Sequence, residues 1–141
     1  PLVGAGGSLR VLVANARKES RDIQSGFLLG RVDPTLIIET AQSGEEALRK
    51  EAEQPHDVVI VDLMMPGLSG MELLKMLKAR NPKARIIMVT GYPTMKNTLQ
   101  AMQLGAMDFL PKPFLPTTLR NLVAAALEAE DDKPEGSGAA G

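Results

Sequence analysis

His56-Asp57-Val58-Val59-Ile60-Val61-Asp62-Leu63-Met64-Met65-Pro66-Gly67-Leu68-Ser69-Gly70 is the stretch from which the fold is most directly predicted. Its aliphatic run, Val58 to Val61, is β-branched throughout, which favours a strand buried on both faces of a helix-covered parallel sheet. The run ends at Asp62, and a loop rich in proline and glycine follows. Because ligands bind at the carboxyl ends of strands in open α/β sheets, Asp62 is a candidate nucleophile or metal ligand. An isolated aspartate at this position also fits a strand cap or a solvated loop.

The composition bounds the possible functions. A chain of 141 residues is long enough for one domain with a real hydrophobic core. Its 16 basic and 17 acidic side chains give a formal charge of -1, so no basic field favours nucleic acid. It contains no cysteine and a single histidine, which argues against disulfides, thiol catalysis and histidine-rich metal sites. No apolar run approaches the ~20 residues that span a bilayer, so we expect a cytoplasmic protein without a membrane partner.

Strand and helix patterns alternate along the whole chain. Strands are predicted at 9–14, 35–40, 58–61, 85–90 and 107–110, and helices at about 18–29, 43–52, 69–80, 94–104 and 116–130. This order predicts an α/β fold with a doubly wound, five-stranded parallel sheet. The domain is expected to span 9–130, with a flexible segment at 1–8 and a disordered tail at 131–141.

Local signals support the helix assignments. Ser43 with Glu46 and Ser69 with Glu72 each predict a capping box. Apolar side chains at helical spacing predict the buried faces, which for three of the helices are Ile23 and Phe27, then Met95, Leu99 and Met102, then Leu119, Leu122, Val123, Ala126 and Leu127.

The ends of the predicted strands carry polar side chains that would share one edge of the sheet. Asp62, Thr90 and Lys112 supply a carboxylate, a hydroxyl and an ammonium there, and Asn15-Ala16 follows the first strand. A carboxylate can accept a phosphoryl group, and a hydroxyl and an ammonium can bond to its oxygens. The sequence therefore predicts a phosphoryl site at this edge, with Asp62 as the acceptor.

The chain resembles the receiver domains of bacterial two-component response regulators from about Leu9 to Glu130. The segments that carry the resemblance are Val58-Val59-Ile60-Val61-Asp62-Leu63-Met64-Met65-Pro66-Gly67-Leu68-Ser69-Gly70, Ile86-Ile87-Met88-Val89-Thr90-Gly91-Tyr92, Ala101-Met102-Gln103-Leu104-Gly105-Ala106 and Phe109-Leu110-Pro111-Lys112-Pro113-Phe114.

The resemblance implies a flavodoxin-like fold with strand order 2-1-3-4-5. It implies that Asp62 is the phosphoacceptor, Thr90 the switch hydroxyl, Phe109 the aromatic that follows it, and Lys112 the family's lysine before a cis proline. It further implies a signalling domain rather than an enzyme, with Mg²⁺ as cofactor and a sensor histidine kinase or phosphotransfer protein as partner. Partner contacts, including a possible homodimer, are expected on the face formed by the Thr94–Leu104 helix, the Phe109 strand and the last helix.

One departure from the family concerns the metal. The family places two acids after the first strand, and here Asn15 and Ala16 occupy those positions. Asp62, the backbone carbonyl of Met64 and an Asn15 amide would remain as ligands. Because Mg²⁺ favours carboxylates, we predict weak or absent binding. A basic side chain from the same loop, Arg17 rather than Lys18, could instead bridge to Asp62.

Three alternatives compete with this interpretation, and two of them lack residues that they require. The chain could be a pseudo-receiver that signals by contact without phosphorylation. A phosphatase of the haloacid dehalogenase type would need an acid two residues after the nucleophile, and this chain has Met64 there. A nucleotide-binding flavodoxin-like protein would need a glycine-rich loop where Asn15-Ala16-Arg17-Lys18 stands.

Overall fold

The computed structural model describes residues 9–28, 32 and 35–128. Five strands and five helices alternate in this part of the chain. The strands are β1 (Arg10–Ala14), β2 (Ile37–Ala41), β3 (Val58–Asp62), β4 (Ile86–Thr90) and β5 (Asp108–Pro111). The helices are α1 (Lys18–Leu28), α2 (Gly44–Glu53), α3 (Gly70–Arg80), α4 (Met95–Gln103) and α5 (Pro116–Glu128). The predicted segments 1–8 and 131–141 lie outside the described residues.

The strands form one parallel sheet in the order β2-β1-β3-β4-β5. This confirms the predicted flavodoxin-like, doubly wound fold. The central strand β3 is buried along its whole length, as its β-branched run predicted. Each strand is followed by a helix, so the sheet is covered on both faces.

Two apolar clusters lie on opposite faces of the sheet, because alternate strand residues point to opposite sides. One cluster joins Val59, Val61 and Met88 to residues of α2 and α3. The other joins Val58, Ile60 and residues of α5. Asp62 continues the alternation of Val58 and Ile60, so it lies on the face covered by α1 and α5.

The structure corrects two predicted helix faces. In α1 the buried side chains are Gln24 and Leu28, whereas Ile23 is 55% exposed. In α4 the predicted stripe of Met95, Leu99 and Met102 is exposed, and Ala101 is the buried residue. Phe27 packs, partly buried, against the cluster on the α1 and α5 side, but Ile23 and the α4 stripe are exposed, because hydrophobic spacing identifies a helix face but not what covers it.

Capping also differs in part from the prediction. Ser69 and Glu72 form the predicted reciprocal box at the start of α3. At α2 the Ser43 side chain accepts from the Glu46 N–H, but the Glu46 side chain accepts from the N–H of Gln42 instead of Ser43. The predicted box is therefore only half formed there, and the carboxylate stabilises the preceding turn.

Candidate functional site

Four of the polar residues predicted to meet at one edge lie at or just after the carboxyl ends of adjacent strands. β3 ends at Asp62, β4 ends at Thr90, and Lys112 directly follows β5. Asn15 follows β1, and its N–H donates to the Ala41 carbonyl oxygen at 2.9 Å. Because every strand pair is parallel, these positions share one edge of the sheet.

Asp62 is held at this edge by two contacts. Its Oδ2 accepts a hydrogen bond from Nζ of Lys112 at 3.1 Å, which also forms an ion pair. Its Oδ1 accepts from the N–H of Met64 at 2.9 Å. The Asp62 side chain is 7% exposed and the Lys112 side chain 26% exposed, so the pair is largely shielded from water. The predicted cis bond between Lys112 and Pro113 is present.

The loop after β3 is packed tightly against the acceptor. The N–H of Gly70 donates to the Leu63 carbonyl oxygen at 3.1 Å. A Cβ at Gly70 would lie 2.2 Å from the Asp62 carbonyl oxygen, so only glycine fits there. Gly67 adopts a positive φ of 72° in the same loop. These two glycines fix the path of the chain that surrounds the carboxylate.

Thr90 and Phe109 lie on the other face of the sheet. The Thr90 hydroxyl accepts a hydrogen bond from the Tyr92 N–H at 3.1 Å, and the threonine is fully buried. Phe109 is partly buried and packs against the cluster on the same side. Within the part of the chain that the structure describes, no hydrogen bond joins the Thr90 hydroxyl to Asp62 or Lys112. The structure therefore brings Lys112, but not Thr90, into contact with Asp62.

The residues at the predicted metal pocket do not fit a Mg²⁺ site of the two-acid kind. Asn15 is fully buried, and its Oδ1 accepts from the Arg17 N–H at 2.9 Å. Ala16 offers no side-chain ligand, which leaves Asp62 as the carboxylate of the pocket. No group of three or more histidine, cysteine or acidic side chains with metal-site geometry occurs among the described residues. Magnesium requires octahedral oxygen ligation and favours carboxylates, so this donor set is poor.

The predicted bridge from Arg17 or Lys18 to Asp62 is wrong. Lys18 Nζ bonds to Asp22 at 2.7 Å, one helical turn along α1. The Arg17 side chain makes no ion pair with Asp62, although it lines the same groove. Among the described residues, the cation that pairs with Asp62 is Lys112. Lys112 directly follows β5 at the edge where Asp62 lies, whereas Lys18 is on the solvent-exposed side of α1.

A groove of about 740 Å³ opens beside Asp62 and Lys112. Its volume is within the range of ligand-binding clefts. Phe27 of α1 and Phe114 pack edge-to-face in its wall, with ring centroids 6.4 Å apart. Ile23 also lines it, so this exposed side chain borders the groove instead of filling the core.

Gln24 is a groove residue that the sequence did not identify. Its side chain is buried and its Oε1 has no hydrogen-bond partner. The available signal was a glutamine between Ile23 and Phe27, on a helix leaving the first strand. That pattern is common on solvated helix faces, which is why it predicted nothing.

A second buried cluster of charges surrounds His56. Both ring nitrogens face carboxylates: Nδ1 faces Glu51, and Nε2 lies 2.5 Å from Glu39. Arg10 bonds to the same Glu39 oxygen at 2.8 Å, and its own N–H donates to Asp57. Burial alone would lower the pKa of His56, but hydrogen bonds to Glu51 and Glu39 outweigh it and raise the pKa. The imidazolium lowers the pKa of Glu39 in turn. This cluster ties α2 and β2 to the start of β3.

The described part of the chain contains no helix long and apolar enough to span a bilayer.

Comparison with known proteins identifies the family. The model of the response regulator receiver domain matches residues 11–124. The response regulator PilR of Pseudomonas aeruginosa is 31% identical over 126 residues, which are 89% of this chain and 28% of PilR. A protein-glutamate methylesterase/protein-glutamine glutaminase of Halalkalibacterium halodurans is 38% identical over 113 residues, 79% of this chain and 32% of that protein. The chain therefore spans less than a third of the length of these two relatives.

Solved structures give the same result. The receiver domain of NtrX from Brucella abortus superposes with a TM-score of 0.77 at 27% identity, covering 85% of this chain and 99% of that one. The BeF₃-activated receiver domain of DrrB, a Thermotoga maritima protein, gives a TM-score of 0.78 at 27% identity, covering 87% and 100%. This chain belongs to the response regulator receiver domains, which are signalling domains of two-component systems.

Proposed function

We propose that this domain accepts a phosphoryl group on Asp62 and relays the change to a protein partner. The observation that supports this most is the contact of Lys112 with Asp62 at the carboxyl edge of the sheet. A carboxylate oxygen of Asp62 would attack the phosphorus of the donor while the bond from phosphorus to the leaving group breaks. The Lys112 ammonium would then bond to the oxygens of the transferred group and balance its charge.

The switch is proposed to involve Thr90 and Phe109. The Thr90 hydroxyl now accepts from Tyr92, at the start of the loop that leads into α4. Once a phosphoryl group sits on Asp62, the hydroxyl would turn to donate to it and release the Tyr92 N–H. Phe109 packs on the same face and would take up the space that Thr90 leaves. Side-chain repacking of this kind would move α4 relative to β5.

A sensor histidine kinase or phosphotransfer protein is the proposed donor, acting in the cytoplasm. The groove beside Asp62 supports a protein donor because Ile23, Phe27 and Phe114 provide an apolar wall next to the acceptor. An apolar helix carrying the donor group could bury those side chains while placing phosphorus near the carboxylate. Mg²⁺ is the family's usual cofactor, and we propose that it binds weakly or not at all here.

The output contact is proposed to lie on the face of α4, β5 and α5. The exposed Met95, Leu99 and Met102 form an apolar stripe on α4, beside polar residues such as Lys96. A second copy of the chain could cover this stripe in a symmetric dimer. Leu99→Glu should then weaken self-association in sedimentation velocity, while Gln100→Glu on the neighbouring exposed position should not. Equal behaviour of both variants would contradict the dimer.

A pseudo-receiver remains the second candidate. It is favoured by Asn15 and Ala16, which supply no carboxylate to the site. In that case the fold and the output face would act through constitutive contacts, and Asp62 would never be modified.

Intact-mass spectrometry after incubation with acetyl phosphate tests the proposal against this alternative. We expect the chain to gain the mass of one phosphoryl group and Asp62→Asn to gain none. Asp22→Asn, which removes an exposed carboxylate on α1, should label like the unaltered chain. Absence of labelling in all three would contradict phosphoryl transfer and support the pseudo-receiver.

A further inference from the structure

The amide of Asn15 lies beside the acceptor on the same face of the sheet. The register of β1 and β3 pairs Ala14 with Val61, so Asn15 and Asp62 are the next pair of positions. Val13 and Ile60, two residues earlier on each strand, both belong to the cluster on the α1 and α5 side. Because adjacent strands lie about 4.8 Å apart, the two side chains are neighbours.

The orientation of this amide is fixed by the backbone. Oδ1 of Asn15 is the acceptor for the Arg17 N–H at 2.9 Å, so Nδ2 occupies the opposite end of the amide. Nδ2 is buried and has no hydrogen-bond partner, while the residue as a whole is fully buried. A buried donor without an acceptor is unfavourable, so an acceptor at this position would be bound favourably.

The charges around Asp62 favour an oxyanion over a divalent cation. Lys112 is paired with Asp62, and Arg17 contributes a second cationic side chain to the lining of the groove. The groove thus offers one carboxylate against two cations, and the strand register places the unpaired amide donor of Asn15 beside that carboxylate. The pocket supplies a metal ion with one carboxylate ligand, whereas the family's pocket has three. Phosphoryl oxygens, in contrast, would have hydrogen-bond donors on two sides.

We propose that the pocket accepts and holds a phosphoryl group without a divalent cation, with Nδ2 of Asn15 and Nζ of Lys112 as the donors to its oxygens. This rests on the proposed function of Asp62. The bond between an Asp62 oxygen and phosphorus forms as the phosphorus–oxygen bond of an acyl phosphate breaks. The leaving carboxylate takes the electron pair of that bond, so no proton and no further reactant is required.

The test measures the rate of phosphoryl uptake from acetyl phosphate by the full chain, once in excess EDTA and once in excess MgCl₂. The unaltered chain should label at the same rate in both. Asn15→Ala should label at least about tenfold more slowly in EDTA, the size of effect expected from removing one donor to a developing anion. Asn121→Ala, the same change at an exposed position of α5, should leave the rate unchanged. Asn15→Asp combined with Ala16→Asp should label slowly in EDTA and recover in MgCl₂.

The outcomes separate this inference from the proposed function. Labelling of the unaltered chain that requires MgCl₂, or an unchanged rate for Asn15→Ala, would overturn metal-free transfer while leaving Asp62 as the acceptor. No labelling in either buffer would overturn both.

A second measurement avoids any effect of substitution on folding. The side-chain amide signals of Asn15 in the unaltered chain are compared by NMR before and after labelling in EDTA, with those of Asn121 as the reference. A downfield shift of the Asn15 protons alone is expected. Signals that stay in place on the labelled chain would contradict the proposed hydrogen bond.

Discussion

The two buried charge clusters differ in how much of their bonding capacity is used. Around His56, both ring nitrogens face carboxylates and Arg10 adds a third contact, although Nε of Arg10 has no partner. Around Asp62, a single lysine is paired, and Nδ2 of Asn15 has no acceptor. The His56 cluster joins β1, β2 and α2 to the two residues before β3, and none of its residues lines the groove. Paired charges of the first kind stabilise the fold, whereas unused donors beside an acceptor leave bonding capacity for a ligand.

The largest effect is expected from removing the ring of His56. His56→Ala leaves the buried Glu51 carboxylate without its cation, and breaking a buried charge pair costs about 3 kcal/mol or more, whereas Glu39 is 38% exposed and keeps Arg10. Urea unfolding should show that loss. Lys18→Ala removes an exposed pair instead, 79% and 60% exposed, and should cost less than about 0.5 kcal/mol. Equal losses in the two variants would mean that the His56 cluster has no structural role.

The second-largest loss of stability is expected from an alanine at Gly70, with an alanine at Gly26 as the comparison. Gly70→Ala forces a Cβ to within 2.2 Å of the Asp62 carbonyl oxygen, so we expect a loss of about 2 kcal/mol and a displaced acceptor loop. Gly26→Ala in α1 meets no atom within 4 Å and should stabilise the domain by up to about 1 kcal/mol. Thermal unfolding of both variants provides the comparison, and a stable Gly70→Ala would contradict the tight packing at the site.

A smaller effect on stability is expected at the site itself. Lys112→Met removes the ammonium from Asp62, but Asp62 keeps the N–H of Met64 and borders the open groove, so the loss should be smaller than that of His56→Ala. The same variant should take up phosphoryl groups much more slowly, because the cation that balances the transferred charge is gone. A large loss of stability with unchanged uptake would reverse the roles that we assign to the two clusters.

The alternation of strand and helix patterns predicted a parallel sheet, and the resemblance to receiver domains predicted its strand order. The sequence also predicted that Lys112 lies beside Asp62, since both stand at the carboxyl edge of the parallel sheet, at the ends of the two strands that flank β4. It did not predict the exposure of Ile23 or of the α4 stripe, because helical spacing does not reveal whether another element packs against that face of the helix. The pairing of His56 with Glu39 depends on side chains 17 positions apart in the sequence, and no local pattern encodes it.

The smallest expected effect is a dependence of stability on pH. The pKa of His56 is raised in the fold, so its contribution is complete below the ordinary value of 6.5 and is lost as the pH rises through the raised value. The pKa of Glu39 is lowered, so its contribution is present above 4.5 and is lost as the pH falls. Glu51 and Arg10 complete the set of charged groups around the ring. The urea midpoint should fall as the pH rises above 6.5, and His56→Gln should remove that dependence on pH. A dependence that persists in His56→Gln would show that another group causes it.

The most direct measurement is the position of the phosphoryl group itself. After treatment with acetyl phosphate, borohydride reduces an aspartyl phosphate to homoserine, which peptide mass spectrometry locates in the sequence. The account predicts homoserine at position 62 and none at positions 22, 57 or 108. Homoserine at one of those other aspartates, or at none, would contradict the claim that the edge formed by Asp62 and Lys112 is a phosphoryl-accepting site.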